Sequence, residues 1–296
     1  MTAARSGDRG QPSDHAVTDA ALQLQVFVSP THSIRSSEAT FSPTTSTLIY
    51  GRAEAILVDA QYMKGDIEDL ADMIEATGRK LTTIFITHAH ADHYFGIDRL
   101  AERFPGVHVT ATAAVVDDIL AHGDEQIATF SAWFGDAIAI PTTAPQPVDD
   151  ALVLEGRTLQ AIDIEQADIA PSSVLHIPEL DAVIAGDAAY NGIHQMLAFT
   201  GPAQWQKWIT SVDTIAALQP RIVVAGHRRP DAKDDDGTAI LDSTRSYISD
   251  FADVAKTARS PRELVSAMQM LYPDHGNLTT LIASAKSAVK NDSKTS

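Results

Sequence analysis

The chain contains no cysteine among its 296 residues. Disulfide bonds, thiolate metal ligands and a cysteine nucleophile are therefore excluded. The Gly-x-Ser-x-Gly segment that carries the nucleophile of many serine hydrolases is also missing. If the protein is an enzyme, its chemistry does not depend on a thiol or on that serine motif.

Positive charge is scarce as well. Lysine and arginine total 22 against 39 aspartate and glutamate residues, a formal net charge of -17. Proteins that bind nucleic acids usually present a basic face that displaces counterions from the phosphates. We therefore expect a small-molecule substrate and no nucleic-acid partner.

Long apolar runs are missing from the first twenty residues, which are rich in serine, glycine, aspartate and arginine. A secretory signal or a membrane span would require such a run. The sequence predicts a flexible tail over residues 1–20, no membrane association and a cytoplasmic location.

The most informative motif contains three histidines and an aspartate within six residues. His88, His90, Asp92 and His93 follow the strand-like segment Leu81–Ile86. Imidazole and carboxylate groups are ligands for zinc and similar divalent ions. His88 and His90 share a face of an extended backbone, whereas Asp92 and His93 turn elsewhere as a helix begins. This geometry suits two adjacent metal ions better than one.

The motif resembles the HxHxDH signature of the metallo-β-lactamase superfamily, and the resemblance spans roughly Leu22 to Pro230. Asp187, after the apolar run 182–184, resembles the family's aspartate that bridges two metals. His227, after the run 222–224, resembles its final histidine. Both residues lie where strands end, and ligand sites in α/β proteins form at such ends. The resemblance implies an α/β fold, specifically an αββα sandwich.

One stretch departs from the family pattern. Between the first motif and Asp187, the family usually has a histidine that completes the first metal's three-imidazole site, and here Gln166 occupies that place. Glutamine is a weak neutral oxygen donor, so we expect weaker binding there unless Asp168 supplies the ligand instead. His176 lies further along the next strand and is more typical of a hydrogen-bonded strand histidine.

The second metal position retains the family's residues Asp92, His93, His227 and the bridging Asp187. Ligands of this number, with an open place for water, are typical of a catalytic site. We expect one or two divalent ions. Zinc is the default, and iron and manganese remain alternatives because the ligand set is rich in carboxylates.

These residues indicate a metal-dependent hydrolase. A metal-bound hydroxide, oriented by Asp92, would attack a small ester, lactone, thioester or β-lactam. Two alternatives stay open. One is an iron-dependent sulfur oxygenase of the same fold, and the other is a metal-binding member that has lost catalysis.

Substrate selection is expected in loops around the metal edge. Within them, His194 and Tyr190 could donate to a developing oxyanion or a leaving group. Arg228 and Arg229 could hold a substrate carboxylate or could simply be surface residues. The three loops are Ser29–Pro43, Phe130–Pro147 and Tyr190–His194.

Hydrophobic periodicity predicts alternating strands and helices up to residue 230, including a helix over Ala113–His122. Residues 231–296 are predicted to form helices packed on the same domain, over Thr238–Ala258 and Leu278–Val289, with a further helix opened by Ser260. These helices could cover the sandwich, shape the pocket or form a homodimer contact.

Overall fold

The computed structural model describes residues 21–149 and 151–289, and the predicted tail over residues 1–20 lies outside them. The strands are β1 (Gln23–Val28), β2 (His32–Ser33), β3 (Thr40–Phe41), β4 (Thr45–Tyr50), β5 (Glu54–Val58), β6 (Lys80–Ile86), β7 (His108–Thr112), β8 (Gln146–Val148), β9 (Ala151–Leu154), β10 (Arg157–Ile164), β11 (Ser172–Ile177), β12 (Ala182–Asn191) and β13 (Ile222–Arg228). The helices are α1 (Lys64–Ala76), α2 (Ala91–Tyr94), α3 (Ile97–Arg103), α4 (Ala113–Phe134), α5 (Pro202–Ala217), α6 (Gly237–Thr257), α7 (Pro261–Leu271) and α8 (Leu278–Ala288).

Two large sheets form the centre of the fold. The first has the strand order β1-β4-β5-β6-β7-β8, and the second has the order β13-β12-β11-β10-β9. In the first sheet β5, β6, β7 and β8 run parallel, and in the second β12 and β13 run parallel. The carboxyl ends of parallel neighbours meet at one edge of a sheet, so residues that follow β6, β12 and β13 can converge.

Apolar residues on both faces of the strands explain the layered packing. On β5, Ile56 and Val58 face the second sheet, whereas Leu57 faces helices α1 and α3. This alternation follows from the two-residue period of a strand. Because both faces are covered, the strand is a continuous apolar run, and the predicted αββα sandwich is confirmed.

The C-terminal helices α6, α7 and α8 join α5 on the outer face of the second sheet. Trp208 and Val212 of α5 and Phe251 of α6 are buried in one cluster with Val223 of β13. Asp236 caps α6 by accepting a hydrogen bond from the Ala239 N–H, as expected for an acidic residue at a helix N-terminus. None of the helices within the described ranges is long and apolar enough to cross a membrane.

Helix α4 is longer than its sequence pattern predicted. It continues past Gly123 to Phe134, so the first residues of the predicted loop Phe130–Pro147 are helical. A glycine inside a helix weakens it without ending it, and burial of Phe130 and Phe134 against the first sheet holds the additional turns in place.

Candidate metal centre

The candidate metal ligands come from both sheets. His88 and His90 follow β6, Asp187 lies within β12, and His227 lies near the end of β13. The edges of the two sheets are joined beside them, because Ser173 donates two hydrogen bonds of 2.9 Å to the Thr87 carbonyl. The ligands therefore converge where the two sheets meet.

The first group of candidate ligands contains two histidines and two aspartates. One ligand atom from each of His88, His90, Asp168 and Asp187 lies within 4.8 Å of the others. His90 Nδ1 lies 2.9 Å from Asp168 Oδ2. Asp168 thus lies within reach of an ion beside His88 and His90, and its role as substitute ligand stays a prediction.

The second group contains Asp92, His93 and His227, again within 4.8 Å of one another. Asp187 lies between the two groups, with its Oδ1 3.2 Å from His93 Nε2 and its Oδ2 3.2 Å from His227 Nε2. This position matches the predicted bridging role of Asp187. The same side chain can ligate an ion in each group.

Hydrogen bonds outside the centre orient three of the imidazoles. Each Nδ1–H has an acceptor on the protein side, which directs Nε2 inward as a lone-pair donor, the usual arrangement around protein-bound metals. The Nδ1 contacts are His88 to Thr87 Oγ1 at 2.9 Å, His93 to Asp59 Oδ2 at 2.8 Å and His227 to the Pro43 carbonyl at 3.0 Å.

Several buried atoms at the centre lack a hydrogen-bond partner. These are His88 Nε2, His93 Nε2 and Asp187 Oδ1. A buried polar atom without a partner is costly, so such atoms usually face water or an ion. Neutral imidazole nitrogens and a carboxylate oxygen facing each other fit a divalent cation.

The charges of the centre favour positive charge beside its carboxylates. Burial alone would lower the pKa of His90, but the Asp168 carboxylate outweighs it and raises the pKa to about 9. Burial would raise the pKa of Asp187, yet the neighbouring imidazoles of His227 and His93 hold it well below its usual range. The carboxylates therefore stay ionised and are stabilised by positive charge at the positions that a metal ion would share.

Asp59 is a functional residue that the sequence analysis missed. It follows β5, and besides orienting His93 it accepts a hydrogen bond of 2.9 Å from the Thr87 N–H. Its φ of 61° places it in the left-handed region, which is uncommon for a residue with a side chain. The available signal was its position directly after a buried strand, the same signal that indicated Asp187.

Tyr190 lies close to the centre, and its hydroxyl is directed at a candidate ligand. Its hydroxyl donates a 2.7 Å hydrogen bond to Asp187 Oδ2, and its ring packs 5.4 Å from that of His227. Burial and the charge of Asp187 raise the pKa of Tyr190 well above its usual value, so the hydroxyl remains a donor. This contact would position Asp187, whereas the catalytic role expected for Tyr190 stays a prediction.

His194 lies away from the metal centre, contrary to the expectation from its loop. Its Nδ1 contacts the Tyr247 hydroxyl at 2.9 Å, and its ring packs 5.6 Å from that of His275 beneath the C-terminal helices. Burial and His275 lower the pKa of His194 to about 4, so the ring is neutral at neutral pH. The loop turns inward after Asn191 and this histidine packs in the interior, so its contacts lend no support to the predicted catalytic role.

Gln166 lies in the same loop as Asp168 but makes different contacts. The Gln166 side-chain amide donates to the adjacent Ala167 carbonyl, and its backbone N–H donates to Ser211 Oγ. These contacts tie Gln166 to its own loop and to α5, whereas Asp168 contacts His90. His176 contacts Gln160 on the neighbouring strand at 2.8 Å, as expected for a strand histidine.

Gly226 allows Asp187 to approach β13. A Cβ atom at residue 226 would lie only 2.0 Å from Asp187 Oδ1. The glycine that precedes His227 is therefore required by the close packing of the two ligand-bearing strands.

A cavity of about 130 Å³ opens onto the centre. The candidate ligands that line it are His90, Asp92, Asp168, Asp187 and His227. The apolar side chains of the lining, here called the apolar wall, are Phe41, Phe130, Trp133, Met196 and Phe199. Both Phe41 and Trp133 come from segments that the sequence analysis placed at the metal edge.

The αββα sandwich and the histidine and aspartate groups at its sheet edge define a class of metal-binding proteins. Residues 39–227 match the family model of the metallo-β-lactamase superfamily. The chain belongs to this superfamily.

Known proteins resemble this chain in sequence or in fold. The uncharacterized protein YobT of Bacillus subtilis (strain 168) is 27% identical over 197 residues, which are 62% of this chain and 83% of YobT. A metallo-β-lactamase family protein from Thermus thermophilus superposes with a TM-score of 0.59 at 17% identity, covering 89% of this chain and 91% of that one. A metallo-β-lactamase from Pontibacter korlensis gives a TM-score of 0.55 at 17% identity, covering 76% and 99%. At these identities the solved structures show a shared fold.

Proposed function

We propose that the protein is a metal-dependent hydrolase of a small carbonyl substrate, such as an ester, a lactone, a thioester or a β-lactam. The observation that carries this proposal is the pair of adjacent ligand groups, which share Asp187 and open onto one cavity. Members of the superfamily are typically metal-dependent hydrolases. Zinc is the expected ion, in one or two copies.

The candidate ligands of the centre form two sets, one for each ion. His88, His90 and Asp168 would hold one ion, and His93, His227 and Asp92 the other. A divalent ion bound there lowers the pKa of a coordinated water and polarises a substrate carbonyl. Asp92 faces the cavity and can orient the attacking water.

Protein groups around Asp92 support that role. Thr44 Oγ1 donates a 3.0 Å hydrogen bond to Asp92 Oδ2. Next to it, His93 and His227 hold the pKa of Asp92 well below its usual value, although burial opposes them. The carboxylate is thus ionised and can accept a hydrogen bond from the attacking water, which would orient it.

The direct test uses purified protein stripped of metal by a chelator. We expect hydrolysis of at least one substrate class in a panel of esters, lactones, thioesters and β-lactams to disappear on stripping and to return with zinc or manganese, because the nucleophile depends on the ion. Metal content is measured by mass spectrometry before and after. Full metal occupancy with no hydrolysis across the panel would contradict the proposal.

A second candidate function has one observation in its favour. In the first group, two histidines and Asp168 replace a three-histidine set, and two histidines with one carboxylate are typical of non-haem iron oxygenases. Stoichiometric iron in protein purified without added metal, together with oxygen uptake on a thiol substrate, would favour a sulfur oxygenase over a hydrolase.

The residue that completes the first group can be identified by substitution. We expect Asp168→Ala to lower the bound metal from about two ions per chain to about one, because His88 and His90 alone bind weakly. Gln166→Ala should leave the metal content unchanged, since its side chain is bonded within its own loop. Loss of metal in the Gln166 variant, with none in the Asp168 variant, would show that their roles are reversed.

A further inference from the structure

The cavity above the metal centre is lined by many apolar side chains and by no lysine or arginine among the described residues. Its apolar wall contains four aromatic rings and Met196. Resting on the proposed hydrolase function, we propose that the site takes uncharged carbonyl substrates with an apolar acyl group and rejects substrates that carry a carboxylate on that group.

Three rings of the apolar wall pack against one another. Phe41 packs 5.5 Å from Phe130 and 6.2 Å from Trp133, measured between ring centroids. The Phe41 ring also lies 6.1 Å from that of the candidate ligand His227. An acyl group attached to a carbonyl at the metals would therefore rest against aromatic surface, where burial of apolar area is favourable.

Phe199 extends this wall to the mouth of the cavity. Its ring lies 5.4 Å from that of His90, and 60% of the residue is exposed. A large aromatic side chain left open beside candidate metal ligands can cover the outer part of a bound apolar chain.

The arginines closest in sequence to residues of the site make contacts outside the cavity. Arg228 pairs with Asp234 at 3.2 Å, and Arg229 pairs with Asp231. Arg35 donates its backbone N–H to the Trp133 carbonyl, but its guanidinium lies against Gly135 and lines a different cavity. The possibility that Arg228 or Arg229 holds a substrate carboxylate therefore finds no support in their contacts.

The charged residue at the rim of the cavity is acidic. Glu125 of α4 lines the cavity and is exposed, and it forms no ion pair with any residue in the described part of the chain. A carboxylate at the far end of an acyl group would meet Glu125 and the aromatic wall, where it would lose water without gaining a cationic partner.

The test uses two esters of matched shape, phenyl 6-methylheptanoate and monophenyl adipate, in which a carboxylate replaces the terminal isopropyl group. With the metal-loaded protein, we expect kcat/KM to be at least about tenfold higher for the uncharged ester. We expect Glu125→Gln to reduce this preference by about two- to fivefold and Glu125→Lys to reduce it further, because one repulsive charge at the rim is removed or reversed.

Asp117→Asn is the matched control. It removes the same charge from an exposed position of the same helix, about 12 Å along the axis from Glu125, and we expect it to leave the preference unchanged.

Phe199→Ala tests the apolar wall independently of Glu125. It should lower kcat/KM for the methylheptanoate by about fivefold and leave phenyl acetate, whose acyl group is too short to reach it, nearly unaffected.

The outcomes separate the inference from the function on which it rests. Metal-dependent turnover of both esters at equal rates, or a preference for the adipate, would overturn the inference and leave the hydrolase function standing. Turnover of neither ester would overturn the inference, and the proposed hydrolysis itself would be contradicted only if the metal-loaded protein also hydrolysed none of the lactones, thioesters and β-lactams of the panel. An unchanged preference in Glu125→Gln would overturn the role given to Glu125.

Discussion

Replacing His93 with alanine is expected to lower kcat/KM for hydrolysis by about a thousandfold or more. His93 Nε2 lies 3.2 Å from both Asp92 Oδ2 and Asp187 Oδ1, at the middle of the second ligand group. Its removal leaves these buried carboxylates without the imidazole that faces them and takes one ligand from the metal. Steady-state kinetics and metal content of the purified variant measure the effect.

His176→Ala serves as the control for this substitution. His176 belongs to neither ligand group and contacts Gln160 on a neighbouring strand. We expect its activity to stay within about twofold of the unmodified protein, since substitutions away from buried networks have small effects. Comparable losses in both variants would mean that the His93 effect reflects general damage and not the loss of a ligand.

The second large effect is expected from Asp59→Asn, although Asp59 belongs to neither ligand group. We predict a loss of about ten- to a hundredfold in metal affinity, with a parallel loss of activity at limiting metal. Asp59 Oδ2 lies 2.8 Å from His93 Nδ1 and accepts a hydrogen bond from the Nδ1–H. An asparagine amide placed there donates, so His93 would carry its proton on Nε2, the atom that must bind the ion.

Asp66→Asn is the matched control. Asp66 is also buried and also pairs with a histidine, at 2.6 Å from His32 Nε2, but neither residue is in a ligand group. Metal affinity is measured by competition with a chelator of known affinity, and the melting temperature of each metal-free variant reports its folding. If Asp59→Asn binds metal as tightly as Asp66→Asn does, the orienting role of Asp59 is wrong.

Much of the centre is readable from local sequence. The spacing of His88, His90, Asp92 and His93 behind an apolar strand needs no knowledge of distant residues. Asp187 and His227 follow apolar strands in the same way, and the carboxyl ends of strands are where ligands gather in α/β folds. The alternation of apolar residues predicted alternating strands and helices, and the resemblance to the family predicted their arrangement in two sheets covered by helices.

The contacts of other residues depend on how distant segments pack. Asp168 and Gln166 are two positions apart in one loop, and only the folding of that loop against β6 and α5 directs one to the centre and the other away. His194 follows Asp187 closely along the chain, yet the turn after β12 carries it beneath helices that begin more than forty residues later. Local pattern does not encode such directions, because they are chosen by the packing of whole layers.

The same distinction separates the chemistry of the protein from its selectivity. The ability to hold a divalent ion follows from a few side chains whose types and spacing are written in adjacent positions. The arrangement of Asp59 behind His93, and of Phe41, Trp133 and Phe199 in one cavity with the ligands, arises only when two sheets and helix α4 close on one another. Contacts between residues far apart in the chain are set by the burial of large apolar surfaces, and no short motif specifies them.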